Sequence, residues 1–302
     1  MQIKAVRRLV RRNAYWLFLL SQFPRLRGMV RSAGEERQAS GLLNISETPE
    51  LIRRSERLFI LGSGASINDL PSDFWDVVRS SDSIGFNNWM VHWFVPDFYM
   101  RETPLESIHN QQFAKILKKK HETFAPLPYI ARRGFTRRRR EVWPEGLKVL
   151  QDLVTGPICL PNVINVPAET EEEMRKFCRI WRRLGLHKNA DLHLDIRASI
   201  LQLTYFGFVQ GYKEIVLCGI DLVSKEYFWE DPRWSGEDFG LPPNKSQNER
   251  HRTLDPEFGL PIDRVICALN DELLVPEGVK LYVASPKSAL AAFLPIYELA
   301  TK

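Results

Sequence analysis

The run RLFILGSGASINDL carries a continuous apolar stretch into Gly62, Ser63, Gly64, Ala65 and Ser66 and then into a helix-like start. Glycines let a backbone approach a ligand closely, and free amides at a helix N-terminus favour phosphate. The same residues also read as a tight strand-to-helix turn with no ligand. A dinucleotide fingerprint needs a third glycine where Ile67 stands, and no Lys followed by Ser or Thr completes a P-loop, so nicotinamide, flavin and Walker-type sites are set aside. Asn87 and Asn88 close the run IGFNN. A carboxamide offers a donor and an acceptor, which suits a nucleotide base, a ribose or a sugar, or else caps a turn. Asp221, at the end of IVLCGID, allows the same two readings, and Arg101 with Glu102 forms either a salt bridge or a pair of ligand contacts.

Of six histidines, only His251 lies between a long irregular stretch and the helix pattern that follows it. Imidazole titrates near neutrality and can take a proton from a hydroxyl, although a His between Arg250 and Arg252 also reads as a solvated surface residue. Cys159, Cys178, Cys218 and Cys267 are spread singly, which argues against a zinc site or a disulfide framework and for a reducing compartment. No Asp-x-Asp triplet is present to hold a divalent ion beneath a sugar diphosphate.

Short apolar runs that alternate with amphipathic stretches must position these residues. Strands are predicted over 57–62, 83–87, 97–100, 127–131, 214–219 and 279–284, and helices over 70–80, 105–120, 169–184, 196–210, 259–273 and 286–299. This alternation implies an α/β domain of Rossmann type, with a mostly parallel sheet covered by helices on both faces. Residues 34–49 read as a polar linker. Residues 224–250, rich in Gly, Pro, Trp and charge without periodicity, read as a lid. The segment Arg132 to Arg140 holds six arginines in nine residues, which suits either a phosphate contact or a solvated charged loop.

The chain carries 42 Lys plus Arg against 37 Asp plus Glu. Residues 1–40 hold nine of the basic residues against Glu35 and Glu36, a net of +7 that leaves −2 for the remaining 262. The body is therefore not of the basic kind that binds nucleic acid. At 100° per residue Ile3, Val6, Leu9, Val10, Ala14 and Leu17 share one face, with Lys4, Arg7, Arg8, Arg11 and Arg12 on the other. Residues 1–31 are thus expected to lie on a membrane surface, with a packed N-terminal helix or a cleaved signal peptide as the other readings. The apolar run Ala14 to Leu20 is too short to span a bilayer, which needs about 20 apolar residues. The expected organisation is an arm over 1–40 and a single domain over 41–302.

One ordered set of segments goes further. After the glycine turn and IGFNNW come IRASILQLTYFGFVQGYKEIVLCGIDL, SKEYFWED, NERHRTLD and KLYVASPKSALAAF. Together they resemble the bacterial sialyltransferases of glycosyltransferase family forty-two, over roughly residues 57–294, with 103–190 aligning poorly. GYKEIVLCGID is the most specific stretch. The resemblance implies a GT-A-variant-like fold and transfer of sialic acid, or a related nonulosonic or Kdo sugar, from a CMP donor. The acceptor would be a glycan of lipopolysaccharide, lipooligosaccharide or capsule. It makes Gly62, Ser63, Gly64, Ser66, Asn87 and Asn88 nucleotide or donor contacts, and Arg197 and Ser199 substrate contacts at a helix start. Tyr227 becomes a lid tyrosine on the departing phosphate, His251 the general base, and Ser285 and Ser288 neighbours of the cytidine or its phosphate, with Asp221 close by.

Several positions depart from the family pattern. Ser63 stands for its Asn, Ala65 for its Pro and Met100 for a further Asn, while Trp229 or Trp234 would fill the place of a second lid tyrosine. The implied enzyme needs neither cofactor nor metal, sits on the inner face of the cytoplasmic membrane, and leaves a homo-oligomer open. Two rivals stand beside it, a pterin-type diphosphokinase of similar fold using ATP and magnesium, and a non-catalytic glycan- or membrane-binding protein.

Overall fold

A computed structural model describes residues 15–104, 106–134, 136–223, 226–234, 241 and 251–299. Nine strands are described, β1 (Arg57–Leu61), β2 (Asp82–Phe86), β3 (Phe98–Glu102), β4 (Tyr129–Arg132), β5 (Ile158–Cys159), β6 (Asn162–Asn165), β7 (Leu192–Asp195), β8 (Glu214–Cys218) and β9 (Lys280–Val283). Seven of them form one sheet in the order β5-β4-β3-β2-β1-β8-β9, and every pairing in it is parallel. β6 and β7 form a separate parallel pair. The fold is therefore α/β and Rossmann-like, and all six predicted strands are present within a residue or two.

The central strands are buried on both faces, so their sequences read as unbroken apolar runs. Leu58 and Ile60 of β1 point to one layer and Phe59 and Leu61 to the other. Helices α2 (Ser72–Arg79), α3 (Ile108–Lys119) and α5 (Arg137–Leu153) cover the second face through Phe74, Phe113 and Trp143, with the single turn α4 (His121–Phe124) between α3 and β4. The first face takes α6 (Glu171–Arg183), α7 (Ser199–Val209) and α8 (Ile262–Leu269). Every residue of α7 from Ser199 to Phe208 is buried, which is why LQLTYFGF shows no polar stripe.

Two expectations are corrected, and three short strands are added. The linker over 34–49 is instead the end of α1 (Tyr15–Ser40) followed by two 3-10 turns, Ile45–Glu47 and Pro49–Leu51. Asn44 and Glu47 form a reciprocal capping box there, so its polar residues serve local hydrogen bonds. The helix over 286–299 is only a 3-10 turn, Ala289–Ala292, after which Tyr297 returns its amide to the carbonyl of Val283 at 2.8 Å. Pro295 stands inside the predicted span, where a helix interior would lose a donor and clash. β5, β6 and β7, of two to four residues each, went unread because so short a run has no period to recognise.

The arginine-rich segment belongs to regular elements, and Arg137, Arg138 and Arg140 stay exposed on it. Arg132 ends β4, Thr136 caps α5, and Arg137 to Arg140 form its first turn. Cations at a helix N-terminus oppose its dipole. Carboxylates offset them, with Arg137 on Glu141, Arg138 on Glu106 and Arg139 on Glu102.

α1 packs on the body from Tyr15 onward, so the packed-helix reading holds for its described part. Ile3 to Ala14 of the expected membrane face lie outside the described residues, and Leu17 is exposed. Among the described residues no helix is long and apolar enough to cross a membrane. All four cysteines are buried and unpaired, and burial pushes their thiols up, which leaves them poor nucleophiles.

Candidate functional site at the carboxyl edge of the sheet

From β1 the sheet grows one way to β5 and the other way to β9, so the order reverses between β1 and β8. Open α/β sheets bind ligands beyond the carboxyl ends of the strands at such a reversal. The residues there are Gly62 to Ser66 after β1 and Gly219 to Leu222 after β8.

These two turns interlock. Gly62 donates to the carbonyl of Cys218 and Gly64 to that of Gly219, both at 2.8 Å, and Ser66 donates its amide to Asp221 Oδ2 at 2.9 Å. The Ser66 hydroxyl bonds the other oxygen of Asp221. A Cβ on Gly62 would meet Ile220 Cδ1 at 2.4 Å, and one on Gly64 would meet Asp221 Oδ2 at 2.5 Å. The glycines therefore serve close packing of turn on turn. The amides of Gly62, Gly64, Ala65 and Ser66 are spent on protein acceptors, where a phosphate cradle would hold them free. Ser63 differs, because its Oγ is buried with no hydrogen-bond partner among the described residues. Asp221 caps the turn. It is buried, and burial raises its carboxyl above the usual range against the opposing Ser66 hydrogen bonds.

The described part of the expected lid folds back over this turn. Tyr227 pairs antiparallel with Gly64, the amide of Ala65 reaches Glu226 O at 3.2 Å, and that of Phe228 reaches Ser63 O at 3.1 Å. Phe228 is fully buried, and Tyr227 stacks on Trp229 at 4.5 Å between centroids. Trp229 Nε1 is a second buried polar atom without a partner. Asn68 fixes the far end, donating to Phe228 O at 2.9 Å and accepting from Trp234 Nε1 at 2.9 Å. The segment is thus a fixed flap over 226–234; the other residues of 224–250, apart from 241, lie outside the described residues. Tyr227 lines a cleft of about 300 Å³ with Asp69, Glu226, Glu230, Asp231, Arg233 and Lys287. Lys287 pairs with Asp69 at 2.8 Å.

His251 joins the same edge through its amide, which donates to Leu222 O at 3.2 Å. Its Nδ1 lies 2.7 Å from the Thr253 hydroxyl and accepts the Thr253 amide at 3.3 Å. Arg197, expected as a substrate contact, holds the chain after His251. Its guanidinium donates to the carbonyls of Arg252 (2.8 Å), Asp255 (2.7 Å), Gly259 (2.7 Å) and Leu260 (3.0 Å). It braces the segment that follows His251. Beyond β9, Ser288 donates to Ile220 O at 2.5 Å, and Ser285 accepts the amide of Lys287 at 3.2 Å, so both serines shape the edge.

Asn87 follows β2 with φ +56°, and its carbonyl accepts from Tyr99 Oη at 2.6 Å. The side chains of Asn87 and Asn88 make no hydrogen bond within the described residues. Arg197 (φ +69°) and Leu222 (φ +63°) share this left-handed backbone, just past the carboxyl ends of β7 and β8. Strained residues of this kind gather at functional edges.

Ser199 is placed elsewhere than expected. It is buried in a cluster that sequence reading missed, where Arg132 contacts Glu102 and Asp195 at 2.7 Å each and the Ser199 hydroxyl at 2.9 Å. Arg139 and Ser199 also reach Glu102. Burial disfavours the Glu102 charge, but the two guanidinium groups and the hydroxyl outweigh it and hold the carboxyl down at about 2. Arg101 does not pair with Glu102; it lies over the Phe113 ring at 4.2 Å and bonds Asn110 Oδ1 at 3.3 Å. Glu102, the arginine run and Ser199 were each visible in sequence, but nothing local joins them, because β3, β4, α5, β7 and α7 bring them together only in the fold.

Among the described residues no His, Cys, Asp and Glu group forms a metal-ligating set. Comparison of the sequence with protein-family models and with curated proteins finds no match.

Proposed function

We propose that this chain is a glycosyltransferase of GT-A-variant type that moves sialic acid, or a related nonulosonic or Kdo sugar, from its CMP donor to a glycan acceptor. One observation carries the reading. Ser63, Tyr227, His251 and Ser288, far apart in sequence, all stand at the carboxyl edge where the strand order reverses between β1 and β8.

In this reading the donor lies against that edge, its cytidine and ribose beside the free carboxamides of Asn87 and Asn88. Ser63 Oγ, unpartnered, accepts or donates one hydrogen bond to the donor. His251 takes the proton of the acceptor hydroxyl as its oxygen attacks the anomeric carbon, and the bond from that carbon to the CMP phosphate oxygen breaks. For Nε2 to take this proton, Nδ1 must carry its own hydrogen and donate it to the Thr253 hydroxyl 2.7 Å away, giving up the bond it accepts from the Thr253 amide. Tyr227 donates to the departing phosphate from the cleft it lines.

The test is CMP release from CMP-sialic acid or CMP-Kdo with a lipooligosaccharide extract in EDTA. Wild type is expected to release CMP and His251→Ala to lose at least about a hundredfold, within the range removed with a general base. Absence of release with a folded protein, together with AMP formation from magnesium-ATP, would replace this reading by the diphosphokinase one.

A further inference from the structure

We infer that α1 remains docked on the body and offers its outer face, Trp16, Leu20 and Phe23, to an anionic lipid surface. The inner face is committed to the fold. Tyr15 is buried, and Phe18, Leu19, Leu26 and Val30 pack against the core. Tyr15 Oη donates to Pro167 O at 2.9 Å, Arg37 donates to Leu160 O and Asn162 Oδ1 at 2.9 Å each, and Trp143 Nε1 reaches Glu36 at 3.1 Å.

The outer face is unusual for a water-facing helix. Trp16, Leu20 and Phe23 are 56%, 61% and 62% exposed, and their spacing of four and three residues sets them on one stripe. Leu17 is exposed beside them. Farther along the stripe come exposed Arg27 and Arg31, with exposed Arg25 alongside. Tryptophan and leucine suit the interfacial depth of a bilayer, while arginine stems reach back to headgroup phosphates.

Charge selects the occupant. No acidic residue precedes Glu35, and Lys4, Arg7, Arg8, Arg11 and Arg12 add to the same end of the chain. Two copies meeting through this face would bring like charges together, whereas an anionic bilayer complements them.

The docking also sets an orientation. α1 runs antiparallel to β6, since Arg37 meets the start of that strand at Asn162 and Tyr15 meets Pro167 beyond its end. The carboxyl ends of β4 and β7 meet through Arg132 and Asp195. The apolar end of α1 therefore lies toward the carboxyl edges of the strands, and lipid contact turns the candidate site toward the bilayer. Only the corollary that the acceptor is lipid-linked rests on the proposed transfer.

The test is co-sedimentation of the full chain with vesicles of phosphatidylcholine alone or mixed with phosphatidylglycerol, with no sugar nucleotide present. Wild type is expected to bind the mixed vesicles. Trp16→Ser/Leu20→Ser/Phe23→Ser and Arg27→Glu/Arg31→Glu are each expected to weaken binding by about tenfold or more, with unchanged thermal melting because the altered side chains are exposed. An environment-sensitive dye on Leu20→Cys, within the outer stripe, should shift to the blue on vesicles, and the same dye on Lys280→Cys, at the amino end of β9, should not. Wild-type-like binding by the serine variant, a dye shift at Lys280→Cys, or a dimer of the wild type that the serine variant abolishes would each overturn the inference. Vesicle binding and CMP release are independent readouts, so failure of one is distinguishable from failure of the other.

Discussion

Glu102 and Asp221 are buried carboxylates in which the balance between burial and favourable partners falls in opposite directions. Two guanidinium groups hold Glu102 ionised, whereas Asp221 has only hydrogen bonds from Ser66 and a distant Lys287 to offset burial. For Glu102 the folded value of about 2 lies below the ordinary 4.5. Its contribution is therefore fully present above about pH 4.5 and is lost as pH falls toward 2, a span worth about 3 kcal/mol. Glu102→Gln is expected to lower stability near neutrality, because Arg132 and Arg139 lose a charge partner, and to flatten the acid limb between those pH values. Urea titrations of both proteins from pH 2 to 7 check this, and parallel acid limbs would contradict it.

At the scale of elements, the site is assembled from turns. The β1 and β8 turns pack glycine on glycine, and the flap over 226–234 adds a short antiparallel pairing. The segment after His251 consists of 3-10 turns, Arg252–Leu254 and Pro256–Phe258, rather than a strand with a hydrogen-bonded ladder. Arg197 supplies what the missing ladder would, four hydrogen bonds from one planar group. Lysine has a single ammonium with three protons and cannot reproduce that fork. Arg197→Lys is thus expected to lower CMP release by about ten- to a hundredfold, from misplacement of His251, with a smaller effect on melting. Turnover and melting temperature measured on the same preparation check it, and the proteolytic susceptibility of 251–260 should rise in parallel.

For the whole molecule, α1 binds the two sheets together. It packs along β6, whose partner β7 is tied through Asp195 to β4 in the main sheet. Removing residues 1–40 would expose the surface under Phe18, Leu19, Leu26 and Val30 and leave the carbonyl of Leu160 without Arg37. The shortened chain is expected to aggregate or to melt at least about 5 °C lower, since a few kcal/mol of apolar burial is lost. A scanning-calorimetry comparison with the full chain decides whether the arm is a detachable anchor or part of the domain.

Apolar runs such as RLFIL, EIVLC and KLYV determined the parallel sheet in sequence, because a strand buried on both faces has few other ways to satisfy its side chains. The glycine turn, Asn87, Tyr227 and His251 were legible as residues in the right order along the chain. Tertiary structure decided their use. It spent the turn amides on Cys218, Gly219 and Asp221, turned Arg197 from a ligand contact into a brace, and withdrew Ser199 into the ion cluster around Arg132. It also converted six arginines in a row of nine from a loose charge run into a strand end and a helix start, with Arg132 and Arg138 matched by acids from other segments and Arg137 by Glu141 of its own helix. Sequence pattern reports local periodicity, and these roles depend on which acceptors distant segments bring within about 3 Å, a distance set only when the strands take their order.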